Sequence, residues 1–261
     1  MFRTLVPRDI KEALWDYTDK IKRLNILSRN DNLPWEVLYV LPKRSGDGRF
    51  LVDAATICRW TYGRKAPTQV RKKTPSYVLP AGAPTSARDE YGMVQARLGT
   101  GNTIADTAAL TTFLRSGGFG LLHFMAHNVV TSTPEEKPYI PFGDGQRFDL
   151  TYMGSIPDKK YVQDSPLIFM NACTSAGSKP LYTEMSGWAS RFLQCGAGAY
   201  VGALWEIRDK SAGPFADAFY AELVSGKNLG EAMAAGRKAI PPGDPTYLAY
   251  TLYGNPLATL I

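Results

Sequence analysis

The chain has 261 residues, of which 44% are hydrophobic, 21% charged and 11% aromatic. That composition excludes collagen-like, disordered and disulfide-dense proteins and provides for a sizeable core. The length suits one large α/β domain. Thirty basic against twenty-four acidic residues leave a net charge of +6, too dispersed to mark a nucleic-acid binder. No apolar run is long enough to span a membrane, and the N-terminus becomes charged too soon for a secretory leader.

Residues 7–30 place Ile10, Leu14, Tyr17, Ile21 and Leu24 at helical spacing, which predicts one amphipathic helix. LPWEVLYVL (33–41) and GRFLV (48–52) flank a Gly-containing turn and predict a strand pair. Residues 64–73 carry Arg64, Lys65, Arg71, Lys72 and Lys73 and read as a solvated connector. Beyond it, 76–79 is β-like, 87–98 and 105–115 are helical, and GLLHFMA (120–126) is a continuous apolar run of the kind found inside parallel sheets.

The segment 129–165 contains four prolines and reads as an irregular excursion, a class of loop that is usually functional or disordered. The alternation then resumes: strand 167–171, helix 184–194, strand 199–205, helix 215–224 closed by Gly226, and helix 229–239. Strands alternating with helices predict an α/β fold, a mostly parallel sheet covered on both faces, whose sites lie at the carboxyl ends of the strands.

His123 and His127 are the two histidines. His123 sits between Leu122 and Phe124 and reads as a packed core imidazole, whereas His127 stands where its strand leaves the core. Cys173 ends the next apolar strand in a small-residue turn, where a neighbouring imidazole can take its proton and raise the thiolate fraction. Cys58 and Cys195 lack such a context and read as structural; with no leader, all three cysteines are expected to be free thiols in a reducing cytoplasm. Histidines four apart on a strand lie about 13 Å from each other, too far to share a zinc ion. Neither phosphate-loop nor dinucleotide fingerprint follows a strand. No metal or cofactor is expected.

The ordered segments LPWEVLYVLP, SYVLPAG with Arg88-Asp89-Glu90, NTIADTAAL, GLLHFMAHN, LIFMNACTSAG, GWASRFLQCGAGAYVGALWEIRD and YLAYTLYGNP resemble the CHAT domain, a caspase-like and separase-like family of cysteine peptidases. The resemblance implies a caspase-hemoglobinase fold and a Cys173–His127 dyad that cleaves a protein substrate through an acyl-enzyme. It implies a single domain over 1–261, with a helix, hairpin and connector in 1–75 and a catalytic core in 76–261. The N–H groups of Asn128 and Cys173 would form the oxyanion hole. Family members have glycine where this chain has Asn128; its side chain either adds a donor or narrows the cleft. The resemblance also implies a regulated part of a bacterial defence or death system, activated by a sensor protein. A catalytically silent interaction module is the alternative.

Two positions bear on the residue cleaved after. Metacaspases resemble this dyad and place an aspartate two residues before the cysteine, where this chain has the uncharged Asn171. In separases a Trp followed shortly by Asp supplies the acid that meets arginine, and the matching stretch is Trp205 to Asp209. Two roles are open to Asp209, pocket acid and helix cap.

Overall fold

The computed structural model describes residues 4, 6–17, 19–28, 34–41, 47–61, 65–129, 138–143, 145–174 and 184–261, with the backbone alone at 28, 61, 173, 174 and 184–186. The N-terminal part runs α1 (Arg8–Tyr17), β1 (Arg23–Ser28), β2 (Tyr39–Val40), β3 (Arg49–Phe50), α2 (Leu51–Ala54), β4 (Thr56–Thr61) and β5 (Gln69–Val70). There follow β6 (Ser76–Val78), α3 (Ala87–Leu98), β7 (Asn102–Ile104), α4 (Thr107–Ser116), β8 (Leu121–Asn128), β9 (Tyr139–Gly143), β10 (Gln146–Asp149) and α5 (Leu150–Gly154). The chain closes with β11 (Leu167–Thr174), α6 (Glu184–Gln194), β12 (Ala199–Ala203), α7 (Asp209–Val224), α8 (Leu229–Ala239), α9 (Thr246–Ala249), β13 (Tyr250–Tyr253) and β14 (Thr259–Leu260).

Eight strands form the central sheet in the order β1-β4-β13-β12-β11-β8-β6-β7. Every neighbouring pair is parallel except β12 with β13. The long apolar strands β8 and β11 lie at the centre because both of their faces are covered, as an all-apolar strand requires. Alternation divides their side chains between two cores. Leu121, Met125, Leu167 and Phe169 pack with residues of α3, α7 and α8 on one face. Leu122, Phe124, Ala126, Ile168 and Met170 pack with α4, α5 and α6 on the other.

A third cluster joins Val6, Leu14, Leu38, Val40, Leu51 and Ile57. It is tied to the sheet by a buried ion pair in which Arg59 of β4 donates through Nε and Nη2 to Glu36. Helix ends follow local chemistry. Asn228 and Glu231 cap α8 reciprocally, and Gly226 follows α7 at φ 91°, a conformation that favours glycine.

Several expectations are corrected. The helix predicted over 7–30 ends at Tyr17, and Arg23–Ser28 forms an edge strand parallel to β4. Half-buried Leu24 and Ile26 alternate at strand period, and Leu24 fits helical spacing as well. The hairpin at 33–52 consists of two-residue strands, preceded by a 3-10 turn over Trp35–Val37 and followed by α2; its tip lies outside the described residues. The excursion 129–165 holds the β9–β10 hairpin and α5. Ile140, Phe142, Phe148 and Met153 bury this hairpin in the second core, where Phe148 stacks on Trp188 at 5.9 Å; residues 130–137 and 144 of the excursion lie outside the description. In the connector, Gln69–Val70 pairs with β14, and Lys73 is salt-bridged to Asp164. The helix predicted from Phe215 begins at Asp209 and accommodates Pro214 in its second turn.

Candidate active site

Strands β8 and β11 pair in a register that sets Cys173 directly opposite His127 and Thr174 opposite Asn128. Paired strands lie about 4.8 Å apart, so the last turns of two adjacent parallel strands bring these backbone positions together. Both stand at the carboxyl ends, where an open α/β sheet places its sites. His127 is half buried. Its Nδ1 is buried and has no hydrogen-bond partner among the described residues.

Asn128 alternates to the opposite face, and its side chain is buried at 3% exposure with Oδ1 unpartnered among the described residues. Neither expected role for that side chain applies. It sits on the far side of the sheet from His127, and the backbone N–H is its only group placed by register beside the strand ends.

Beneath His127 lies a buried polar network that the sequence did not reveal. His123 is fully buried and makes two hydrogen bonds, Nδ1 with the Tyr220 hydroxyl at 2.9 Å and Nε2 with Glu90 Oε1 at 2.7 Å. Asn171 Nδ2 donates to the same Glu90 Oε1 at 2.6 Å and to the Ala212 carbonyl at 3.3 Å, while its Oδ1 accepts from the Tyr250 hydroxyl at 2.7 Å. Burial, and then the negative charge of Glu90, push the Tyr220 phenol well up. It therefore stays protonated and can donate to His123. A signal for Glu90 was present: Ala87, Glu90 and Val94 recur at helical spacing on the buried face of α3.

Asn171, considered above at a substrate-facing position, is 3% exposed and commits both ends of its amide to this internal network. Trp205 is half buried, packed against the α7-face core and the N-terminal cluster. Asp209 is exposed and is the first residue of α7; the cap position belongs to Arg208, whose side chain makes no capping bond. A narrow pocket opens where α3 and α7 begin, two residues short of His127 and Cys173, and Asp209 lines it together with Glu90, Met125, Asn171 and Ala212. Trp205 is not among its described lining residues.

Ser211 and Asp244 secure the start of α7. The Ser211 hydroxyl donates to Asp244 Oδ2 at 2.7 Å and the Thr246 N–H donates to Oδ1 at 2.9 Å. Burial alone would raise the Asp244 pKa, but these donors outweigh it and hold the group at about 2. The remaining two thiols are remote. Burial and then Glu36 push Cys58 up to about 12, and burial raises Cys195.

The sequence profile of the CHAT domain matches residues 21–252. The chain belongs to the CHAT domain family. Solved structures similar to this CHAT domain include the arginine-specific cysteine proteinase gingipain R, at 12% identity and TM-score 0.61 over 99% of this chain and 69% of that one. The complex of Porphyromonas gingivalis RgpB pro- and mature domains is similar at 11% identity and TM-score 0.56, over 98% of this chain and 70% of that one. The separase of the Saccharomyces cerevisiae separase–securin complex is similar at 18% identity and TM-score 0.56, over 87% of this chain but 14% of separase. No curated protein matches closely enough to count as a relative. At these identities the likeness is one of fold. The CHAT domain has the caspase-like peptidase architecture, a mostly parallel sheet flanked by helices, and among its described residues no helix is long and apolar enough to cross a membrane.

Proposed function

We propose that this CHAT domain is a cysteine endopeptidase that uses Cys173 as nucleophile and His127 as its acid–base partner. The observation that carries the reading is the β8–β11 register setting Cys173 opposite His127 at the ends of the two central strands. His127 takes the thiol proton, the Cys173 thiolate adds to the scissile carbonyl, and the N–H groups of Asn128 and Cys173 hold the oxyanion. Collapse of the tetrahedral adduct expels the amine, protonated by His127, and leaves a thioester. Water activated by the same imidazole then releases the acid and restores the thiol.

Asp209, exposed at the rim of the pocket, supports cleavage after arginine or lysine, since its carboxylate can pair with an incoming cation. Gingipain R is described as arginine-specific, and its fold is the one found here. The family resemblance supports a cytoplasmic enzyme working in a bacterial defence or regulated-death system under the control of a separate activating protein.

Labelling with a peptide that carries a thiol-reactive electrophile tests the reading. Cys173 is expected to be modified in the wild type, unlabelled in Cys173→Ala, and modified orders of magnitude more slowly in His127→Ala. A wild-type protein whose Cys173 reacts no faster than a free thiol peptide, both alone and with its activating protein supplied, is a silent interaction module, not a peptidase.

A further inference from the structure

A groove of about 380 Å³ opens at the end of the sheet opposite to His127 and Cys173. Ser165 lines it just before β11, Gly196 and Ala197 just before β12, and Trp60 near the end of β4, which runs against β12 because the antiparallel β12–β13 pair lies between them. The volume falls within the range of about 300–1,000 Å³ typical of ligand sites. At roughly 3.3 Å per residue, β11 separates the groove from the Cys173 position by about 25 Å. Part of the lining is apolar: half-buried Trp60 packs against the second core, Leu193 is buried, and Val162 stands 55% exposed. Lys65 and Lys159 are exposed on the same groove, and its described lining contains no acid.

The turn that carries Lys159 and Val162 is fixed. The Lys159 N–H donates to the Gln194 carbonyl at 2.8 Å and the Tyr161 N–H to the Cys195 carbonyl at 2.7 Å. Lys159 itself holds φ 64°, a conformation uncommon for a residue with a side chain. A Cβ on Gly196 would meet the Val162 nitrogen at 2.6 Å, so glycine is what lets this turn pack so closely. The same end of the molecule gathers basic residues that the sequence scatters. Exposed Arg71 and Lys72 run past Gly120, ahead of β8, and Lys160 lies against Gly117. The two aspartates of segment 155–166, Asp158 and Asp164, are salt-bridged to Arg191 and Lys73. Lys65, Lys159 and Lys160 are left as surplus positive charge.

We infer that this groove docks an acidic segment of a second protein, with one leucine or phenylalanine entering against Trp60 and Val162 and neighbouring carboxylates pairing with Lys65 and Lys159. Apolar contact supplies the anchor, and the charges select the partner and speed its approach. A second copy of this chain is a poorer occupant, because the chain carries +6 and this face is basic. A nucleic acid offers phosphates to the lysines but no aliphatic group to Val162 and Leu193. A partner seated here leaves the carboxyl ends of β8 and β11 open, so docking and substrate binding are compatible. The inference does not depend on the peptidase reading.

The test uses the full chain and fluorescein-labelled peptides read by anisotropy: one of aspartates and glutamates around a central phenylalanine, one with serine in place of that phenylalanine, and one with the acids replaced by asparagine and glutamine. The acidic phenylalanine peptide is expected to bind about tenfold more tightly than either of the others, and more weakly as salt rises. Lys65→Glu combined with Lys159→Glu should weaken it about tenfold, the effect of two exposed ion pairs turned repulsive. Val162→Asp should weaken it by a similar factor. These side chains are exposed, so the variants are expected to keep the wild-type melting temperature. Lys20→Glu combined with Lys238→Glu makes the same change in net charge on exposed residues outside the groove and should leave binding within about twofold. Equal losses in the two double variants, or equal binding of the phenylalanine and serine peptides, would reveal bulk charge attraction and overturn the inference. Tighter binding of a single-stranded oligonucleotide of equal charge, lost when Lys65 and Lys159 are reversed, overturns it in favour of nucleic acid. Sedimentation that shows dimers abolished by Val162→Asp overturns it in favour of a second copy. None of these outcomes bears on Cys173, whose labelling reports on the peptidase reading separately.

Discussion

Replacing His123 by alanine removes a fully buried imidazole whose ring lies 4.7 Å from Phe169, tilted by 30°, and bonds to both Tyr220 and Glu90. Truncating a buried ring to alanine costs about 3–5 kcal/mol through lost contacts and the cavity left behind. Glu90 loses one of the two donors on Oε1, adding a term of about 1.5–3 kcal/mol that partly overlaps the first. A net loss of about 4–6 kcal/mol is a large part of the roughly 5–15 kcal/mol that stabilises a typical domain. At about 2–4 °C per kcal/mol for a chain of this size, His123→Ala should melt roughly 10–20 °C lower. His127→Ala removes a half-buried ring whose Nδ1 has no partner among the described residues, so a shift of no more than a few degrees is expected. Calorimetric melting of the two variants beside wild type makes the comparison. Equal melting temperatures, or a larger drop for His127→Ala, would refute the assignment of one histidine to the core and the other to the cleft.

Asp244 contributes stability through its depressed pKa. That contribution is fully present above the ordinary carboxylate value of 3.8 and is lost as pH falls toward about 2. Asp244→Asn should cost about 2 kcal/mol at pH 7 and flatten the acid limb between pH 4 and 2; urea midpoints at several pH values check this, and an unchanged slope counts against it. Thiol titration at pH 8 offers a separate test: Cys58 and Cys195, with raised pKa values, should stay silent in the native protein and react only after unfolding. Native-state reaction of either would contradict the burial argument.

Much of the fold was legible locally. Apolar runs announced β8, β11 and β12, and the helices α3, α6 and α8 fall on the predicted residues because periodicity and capping chemistry are written in consecutive positions. The candidate site was legible to the extent that a strand end is: His127 and Cys173 each terminate an apolar run. Periodicity misled where two periods coincide, as at Leu24, and Pro214 hid the first turn and a half of α7.

Local sequence set the kind of element and named the candidate reactive side chains. Tertiary structure alone decided which of them meet. The strands β1, β7 and β13 owe their existence to neighbours in the sheet. Strand parity turned the Asn128 side chain away from His127. The partners around Glu90, His123 and Asn171 are 33 to 97 residues apart. No local pattern encodes such contacts, because hydrogen bonds between distant segments form only when the packing of whole helices against the sheet carries one polar side chain to another and excludes the water that would otherwise satisfy both.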